Sequence, residues 1–549
     1  MSKAFVWSVL VLAAAFGSVQ ALAAPEQRPG QPIVTIAQGA LAERSDADGV
    51  QSFKAIPYAA PPVGDKRWTA PVPASGWTGT RDATDFGASC IAPPWPKDSI
   101  YADNPPKFSE DCLFLNVWAP PHAKKAPVIV WIHGGGLLFG GSWEPLYDGR
   151  NFAKRGTVFV SINYRLGVLG WMAHPELSTE SPNGVSGNYG LLDQIAALKW
   201  VKQNITAFGG DPANVTIMGE SAGGLAVVYL LASPLAHGLF EKAIGESLGM
   251  YSEPELKKPA HGTPSAEETG LELEKTLGAA DLKALRAMDA SRLMMAAVRA
   301  RFLSTGTVDG WALKRQLVDT FDRKEEALVP VMSGFNGGEI ETLPQFLPPL
   351  PASDAVYESE VRKRYGDLAS EYLRLYPAND VKAGMLAAAR DSVFGWGAEE
   401  LVRKEAEADG PSYLYFFDHA YPAAQAMGLH AFHASELPFV FGHVGPNAPG
   451  GKNWPRPEGP REKALSDAMM AYWTSFARDG VPTAPGQPAW HSFAPNTSYM
   501  HFAAAPEAST DLMPGMYTLN EEIMNRRRKA GDQPWIGAIG ASAQTVSPR

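Results

Sequence analysis

The stretch that most restricts how this chain can fold is Val215-Thr-Ile-Met-Gly-Glu-Ser221-Ala-Gly-Gly-Leu-Ala-Val-Val-Tyr-Leu-Leu-Ala232. It reads as an apolar strand, a tight turn and an apolar helix. Gly219 and Gly223 lack the side chains that would collide where a strand reverses sharply into a helix. The turn leaves the hydroxyl of Ser221 at the end of a buried strand and at the positive end of the next helix, where negative charge is favoured. The pattern Gly-x-Ser-x-Gly occurs a second time, as Gly245-Glu-Ser247-Leu-Gly249. That copy runs into Met-Tyr-Ser-Glu-Pro-Glu, too polar and Pro-broken for a buried helix, and reads as a serine closing the next core strand. Ser221 is therefore the candidate nucleophile.

The chain around it alternates the same two kinds of element. Ala126 to Ile132 is a buried strand entering His133-Gly-Gly-Gly136, and Thr157 to Arg165 is another. Asn188 to Val201 has helical spacing, and Leu328 to Gly334 and Tyr413 to Phe417 return to the sheet. Alternation of this kind predicts a mostly parallel sheet with helices on both faces. Pro32 to Ala37 and Phe53 to Ile56 read as an antiparallel hairpin at a sheet edge. Residues 265–303 and 352–408 read as helical, within cap-like regions near 250–325 and 345–408. A helix near 464–478, a last strand and helix between 498 and 528, and a loose tail over 530–549 complete the chain. The Arg526-Arg-Arg-Lys529 run reads as a solvated helix end.

With 549 residues, 45% of them hydrophobic, the chain can bury a large core, and one catalytic domain over 24–529 is the simplest organisation. A net charge of −10 argues against nucleic acid or an anionic membrane as partner. Residues 1–23 carry signal-peptide features: Lys3, an apolar run from Phe5 to Phe16, and the small-x-small site Ala21-Leu22-Ala23. A buried N-terminal helix is the alternative. Export to a periplasm or beyond is expected, with a mature chain from about Ala24 and no membrane anchor. The two cysteines, Cys90 and Cys112, read as one disulfide in such a chain. They cannot build a Cys-rich zinc site, and no helical His pair is present, so no metal or cofactor is expected.

An alcohol is a poor nucleophile at neutral pH, so Ser221 needs a base, and that base needs an orienting carboxylate. Glu339 lies just after the strand ending at Gly334, with Glu341 as its competitor. Six histidines come after that point: His419, His430, His433, His443, His491 and His501. His433, beside a helix start, leads, and His430 is its rival.

Gly-Glu-Ser221-Ala-Gly-Gly, His133-Gly-Gly-Gly136 and His433-Ala-Ser-Glu-Leu-Pro-Phe-Val-Phe-Gly442 together resemble the type-B carboxylesterases, the cholinesterase-like branch of the α/β-hydrolases. Ser109-Glu-Asp-Cys-Leu, Gly190-Leu-Leu-Asp-Gln and Tyr472-Trp-Thr-Ser-Phe-Ala477 extend the likeness over nearly the whole mature chain. The resemblance implies an α/β-hydrolase fold and a serine carboxylic-ester hydrolase working through an acyl-enzyme, without cofactor. It implies Ser221 as nucleophile, Glu339 as acid and His433 as base, with an oxyanion hole of the Gly135, Gly136 and Ala222 N–H groups. Glu220 would face the site and His133 would prop the glycine loop. Arg67–Glu110 and Arg165–Asp193 would be ion pairs. Where cholinesterases carry the tryptophan that binds choline, this chain has Ala102, which disfavours choline esters. The implied substrate is a small-molecule ester, from simple esters to a bulky xenobiotic or mycotoxin ester. Amide, carbamate or thioester cleavage and a non-catalytic adhesion role are the rivals, and monomer and dimer both fit.

Overall fold

The computed structural model describes residues 33–45, 48–535 and 545–546. The expected signal peptide and the terminus up to Gly30 lie outside them. Among the described residues eleven strands form the main sheet. In chain order they are β1 (Arg44–Ser45), β2 (Gln51–Pro57), β3 (Phe114–Ala119), β4 (Ala126–Ile132), β5 (Val158–Ile162) and β6 (Gly210–Glu220). After these come β7 (Lys242–Glu246), β8 (Val331–Asn336), β9 (Ser412–Phe417), β10 (Ser498–Phe502) and β11 (Pro506–Thr510). The spatial order is β11-β10-β9-β8-β7-β6-β4-β5-β3-β2-β1. The seven strands from β10 to β5 run parallel, and antiparallel strands close both edges.

Apolar residues fill these strands because both faces are covered. Along β4, Val128, Val130 and Ile132 enter one core cluster, while Ile129 and Trp131 enter the other. A strand buried on both sides reads as a continuous apolar run. The first cluster includes residues of α1 (Tyr189–Asn204) and α2 (Ala222–Ala232), and the second includes residues of α3 (Pro460–Asp479).

Three expectations need correcting. Ile33–Ile36 does not pair with β2; it forms a hairpin with Gly39–Ala42 in a separate three-stranded sheet, while β2 pairs with β3. The turn at Ala37–Gln38 closes within two residues, so the local partner wins. The Arg526–Lys529 run is not simply solvated. On helix α4 (Met516–Ala530), Arg526 meets Asp367 at 2.7 Å, Arg527 donates to the Trp535 carbonyl at 2.6 Å, and Arg528 meets Asp319 and Asp322. Long arginine stems bury while their heads find carboxylates, tying this helix to both cap regions. The tail is not loose at Trp535 or Val546, both buried in core clusters. Among the described residues no helix is long and apolar enough to cross a membrane.

Candidate active site

Strand β6 ends at Glu220, and Ser221 takes φ 57° and ψ −122° before α2 begins. A non-glycine residue in that region is strained, and the surroundings enforce it. A Cβ on Gly223 would lie 2.0 Å from the Ile132 carbonyl oxygen, and one on Gly219 2.4 Å from that of Gly223. The Ser221 N–H donates to the Glu246 carbonyl at 2.9 Å, locking the turn onto β7. The Ser221 side chain makes no helix-capping hydrogen bond, unlike most serines at such a position, so its hydroxyl is left to the cavity.

That cavity has a volume of about 650 Å³, and Ser221, His433, Glu220, Gly135, Gly136 and Ala222 all line it. His433 is buried, and its Nδ1 lies 2.5 Å from Glu339 Oε2. The other Glu339 oxygen accepts the Asn336 N–H at 2.8 Å, so the acid is fixed from the end of β8. The rivals sit apart. His430 is half exposed beside Asp418, and Glu341 accepts the His430 N–H at 2.7 Å. Two residues of displacement take Glu341 to the backbone of His430 instead of the His433 ring.

His433 Nε2 lies 3.1 Å from Glu220 Oε1. Burial first, then the neighbouring carboxylates of Glu339, Glu246 and Glu144, raise Glu220 well above the usual carboxylate range. Glu436 is pushed up to about 8, chiefly by burial and then by Glu220 and Glu339, and Asn336 Nδ2 donates to it. Asn336 thus braces two carboxyls, one with its backbone and one with its side chain.

The glycine loop comes directly after β4. Gly135 and Gly136 have φ of +96° and +64°, which turns their peptide groups as side-chain-bearing residues rarely permit. His133 supports them: its ring stacks on Tyr164 at 4.5 Å, and its Nδ1 bonds the Gly134 carbonyl oxygen at 2.9 Å. Burial lowers this histidine to about 4, so it is neutral at pH 7.

Cys90 and Cys112 are joined, with Cα atoms 4.9 Å apart. Closing such a loop contributes about 3 kcal/mol on a chain-entropy model. The loop supplies one wall of the cavity: Trp95 stacks on Phe139 at 4.0 Å, and Tyr101 O–H donates to the His433 carbonyl at 3.0 Å. Arg67–Glu110 and Arg165–Asp193 both form, at 2.7 Å each, beside the loop and the sheet. Sequence reasoning did not find Phe394, whose ring stacks on His433 at 5.0 Å. It sits in a π-helical turn, Asp391–Gly395, a bulge that often marks functional sites but has no sequence signal.

Among the described residues one His/carboxylate group could hold a metal ion: His174, Glu176 and Glu274. It lies away from the cavity, His174 Nε2 is 3.2 Å from Glu274, and its Nδ1 accepts the Glu176 N–H at 3.2 Å. His174 Nε2 and Glu274 Oε2 are both buried without a hydrogen-bond partner.

Comparison with known proteins agrees with this geometry. A family model described as the carboxylesterase family matches residues 30–518. The chain is 38% identical over 493 residues to the fumonisin B1 esterase of Sphingopyxis macrogoltabida, covering 86% of each chain. It is 37% identical over 480 residues to the para-nitrobenzyl esterase of Bacillus subtilis, covering 84% of this chain and 92% of that one. A solved para-nitrobenzyl esterase structure superposes with a TM-score of 0.76 at 32% identity, over 89% of this chain and 99% of that one. The carboxylesterase EST55 of Geobacillus stearothermophilus superposes with a TM-score of 0.73 at 31% identity, over the same shares. An α/β-hydrolase sheet, a strained serine turn, a histidine held by a buried glutamate and these matches lead to one conclusion: the chain belongs to the carboxylesterase family and is a serine ester hydrolase.

Proposed function

We propose that Ser221, His433 and Glu339 are the catalytic triad of this esterase, with Gly135, Gly136 and Ala222 as its oxyanion hole. The observation that carries the assignment is the His433–Glu339 contact of 2.5 Å beside a strained serine turn in the same cavity. Ser221 Oγ attacks the ester carbonyl carbon while His433 Nε2 takes its proton. Glu339 holds the Nδ1–H and stabilises the imidazolium. The carbonyl oxygen becomes an oxyanion facing the three N–H groups, each worth about 3–4 kcal/mol in the transition state. His433 then protonates the leaving alkoxide, and water cleaves the acyl-enzyme by the same route. Glu220 Oε1 lies 3.1 Å from the same His433 Nε2 and borders the place where the proton moves.

The aromatic cavity of about 650 Å³ suits bulky as well as simple esters, in keeping with relatives named for fumonisin B1 and para-nitrobenzyl esters. The disulfide and the signal-like first 23 residues support export to the periplasm or medium. Hydrolysis of 4-nitrophenyl acetate, butyrate and octanoate by the protein and by Ser221→Ala tests the assignment. Release lost by several orders of magnitude in the variant is expected; release retained by it sinks the triad. An ester turned over far faster than its matching amide separates this reading from amide hydrolysis.

A further inference from the structure

The acid and the base of the triad stand on two separate segments, one running from Asn336 to Thr342 and the other from Ala431 to Glu436. At one end of the seam between them the joining groups belong to the segments themselves. The Gly338 N–H donates to the Ala431 carbonyl at 2.8 Å, and Asn336 Nδ2 donates to that of Phe432 at 2.9 Å. At the other end a third segment supplies the join. The Tyr101 hydroxyl lies 3.0 Å from the His433 carbonyl oxygen and 2.7 Å from Thr342 Oγ1. A carbonyl only accepts, so the Tyr101 proton goes to His433, and the Thr342 hydroxyl donates to Tyr101 Oη. Among the described residues no other group donates to that carbonyl. Burial, the largest influence, holds the tyrosine well above its usual range, so it stays a neutral donor.

Tyr101 is delivered by the Cys90–Cys112 loop, and its place on that loop is fixed by several contacts. Its N–H donates to Ser99 Oγ at 3.2 Å. Asn453 Nδ2 donates to the Ser99 carbonyl at 2.9 Å, docking the loop beside Trp454. The Tyr101 ring meets Trp454 edge-on at 5.9 Å, and Trp454 packs on Phe432, the residue before His433, at 5.3 Å. The ring also neighbours Trp95 at 5.5 Å, which stacks on Phe139 at 4.0 Å. Phe139 closes the glycine loop, its N–H donating to the Gly135 carbonyl at 2.9 Å. One aromatic row therefore links the glycine loop to the base, and its hydroxyl falls on the seam.

We propose that Tyr101 is a positioning residue for the reaction: its hydroxyl keys the disulfide loop into the seam between acid and base and fixes where His433 stands. The inference rests on the triad reading. A side chain that only walls the cavity acts on substrate binding. A residue that places the base acts on proton transfer, which acylation and deacylation share, and small displacements there are costly.

Tyr101→Phe keeps the ring in its row and leaves the His433 carbonyl without its donor. Hydrolysis of 4-nitrophenyl acetate, butyrate and octanoate, with thermal midpoints measured alongside, tests the proposal. We expect kcat to fall about tenfold, by the same factor for each ester, with KM within about twofold of the parent. Thr342→Val leaves the tyrosine in place and removes the bond behind it. Its kcat is expected to fall about threefold, and that of the double variant no further than Tyr101→Phe alone, because Thr342 acts through Tyr101. A folded Tyr101→Phe whose kcat stays within about twofold of the parent overturns the inference and leaves the triad intact. A loss carried by KM and growing with chain length also overturns it, since Tyr101 would then be only a wall. So do losses that add in the double variant. Thr342→Val decides alone where Tyr101→Phe does not fold, and an unchanged kcat then counts against the inference. No turnover by the folded parent sinks the triad reading and this inference together.

Discussion

The two copies of Gly-Glu-Ser-x-Gly make a controlled comparison inside one molecule. Both end a parallel strand of the same sheet, and both put serine in the left-handed region, Ser221 at φ 57° and Ser247 at φ 47°. Each serine N–H donates to the end of the next strand, Ser221 to Glu246 at 2.9 Å and Ser247 to Gly334 at 2.8 Å. Both line the cavity. They differ in the chain that each serine leads into and in the groups that face it. Ser221 opens an eleven-residue helix and neighbours Glu220, which touches His433. Ser247 runs into irregular chain, is fully buried, and succeeds a glutamate that accepts Trp473 Nε1–H at 2.6 Å. The two near-identical pentapeptides make the same turn, but only Ser221 is partly exposed, next to the glutamate that touches His433.

The largest effect that can break this comparison is on turnover. Ser221→Ala is expected to lower kcat by about 10⁴-fold or more, and Ser247→Ala by less than about tenfold. Comparable losses in two folded variants would make the second copy part of the catalytic machinery. A similar contrast separates the acids. Glu339→Gln puts an amide donor against His433 Nδ1, favours the wrong ring tautomer, and is expected to cost about 10³–10⁴ in kcat. Glu341→Gln, whose carboxyl meets the backbone of His430, is expected to keep kcat within about tenfold on a neutral ester. Steady-state kinetics with 4-nitrophenyl butyrate reads both pairs, and equal losses would move the acid off Glu339.

The elbow was legible in the sequence because its constraints are local: a strand, two glycines and a helix in eighteen successive residues. Most of the parallel strands were legible for the same reason, each being a short apolar run, but their order in the sheet was not. The Glu339–Glu341 and His433–His430 choices stayed open on spacing, because the outcome depends on how β8 and the loop after β9 meet across the sheet. The cavity walls were not legible. Trp95, Phe139, Phe346 and Phe394 come from four separate loops or turns, and no periodicity links them. Trp535 escaped notice because its burial depends on the chain doubling back onto Arg527.

The backbone supplies the next test. A Cβ at Gly223 meets the Ile132 carbonyl oxygen at 2.0 Å, which is main chain of the central strand and cannot move away. A Cβ at Gly249 meets the Tyr251 ring at 2.3 Å, the far end of a side chain that can swing. Gly223→Ala is expected to destabilise by more than about 3 kcal/mol or prevent folding, and Gly249→Ala by about 1–2 kcal/mol. Thermal midpoints of the two variants check this, and equal shifts would show that the two turns are packed alike.

The smallest expected effect concerns the glutamate before each serine. Glu220 belongs to the site, so Glu246 is the cleaner probe. Burial, then the charge of Glu436, raises Glu246 well above the usual carboxylate range, although the Trp473 hydrogen bond pulls the other way. Its pKa in the unfolded chain is about 4.3, so above that pH the folded protein holds a proton the unfolded chain has released. The stability this proton contributes is complete below about pH 4.3 and is lost as pH rises through the folded value. One group titrating this way tilts stability downward by up to about 1.4 kcal/mol per pH unit. Glu246→Gln keeps an oxygen acceptor for Trp473 and removes the proton. Its unfolding free energy, measured in denaturant from pH 5 to 8, should therefore fall less steeply than that of the parent, the two curves converging toward low pH. Parallel curves would mean that Glu246 is ionised in the fold, and that the second copy of the motif holds its glutamate for its charge rather than for its hydrogen bond.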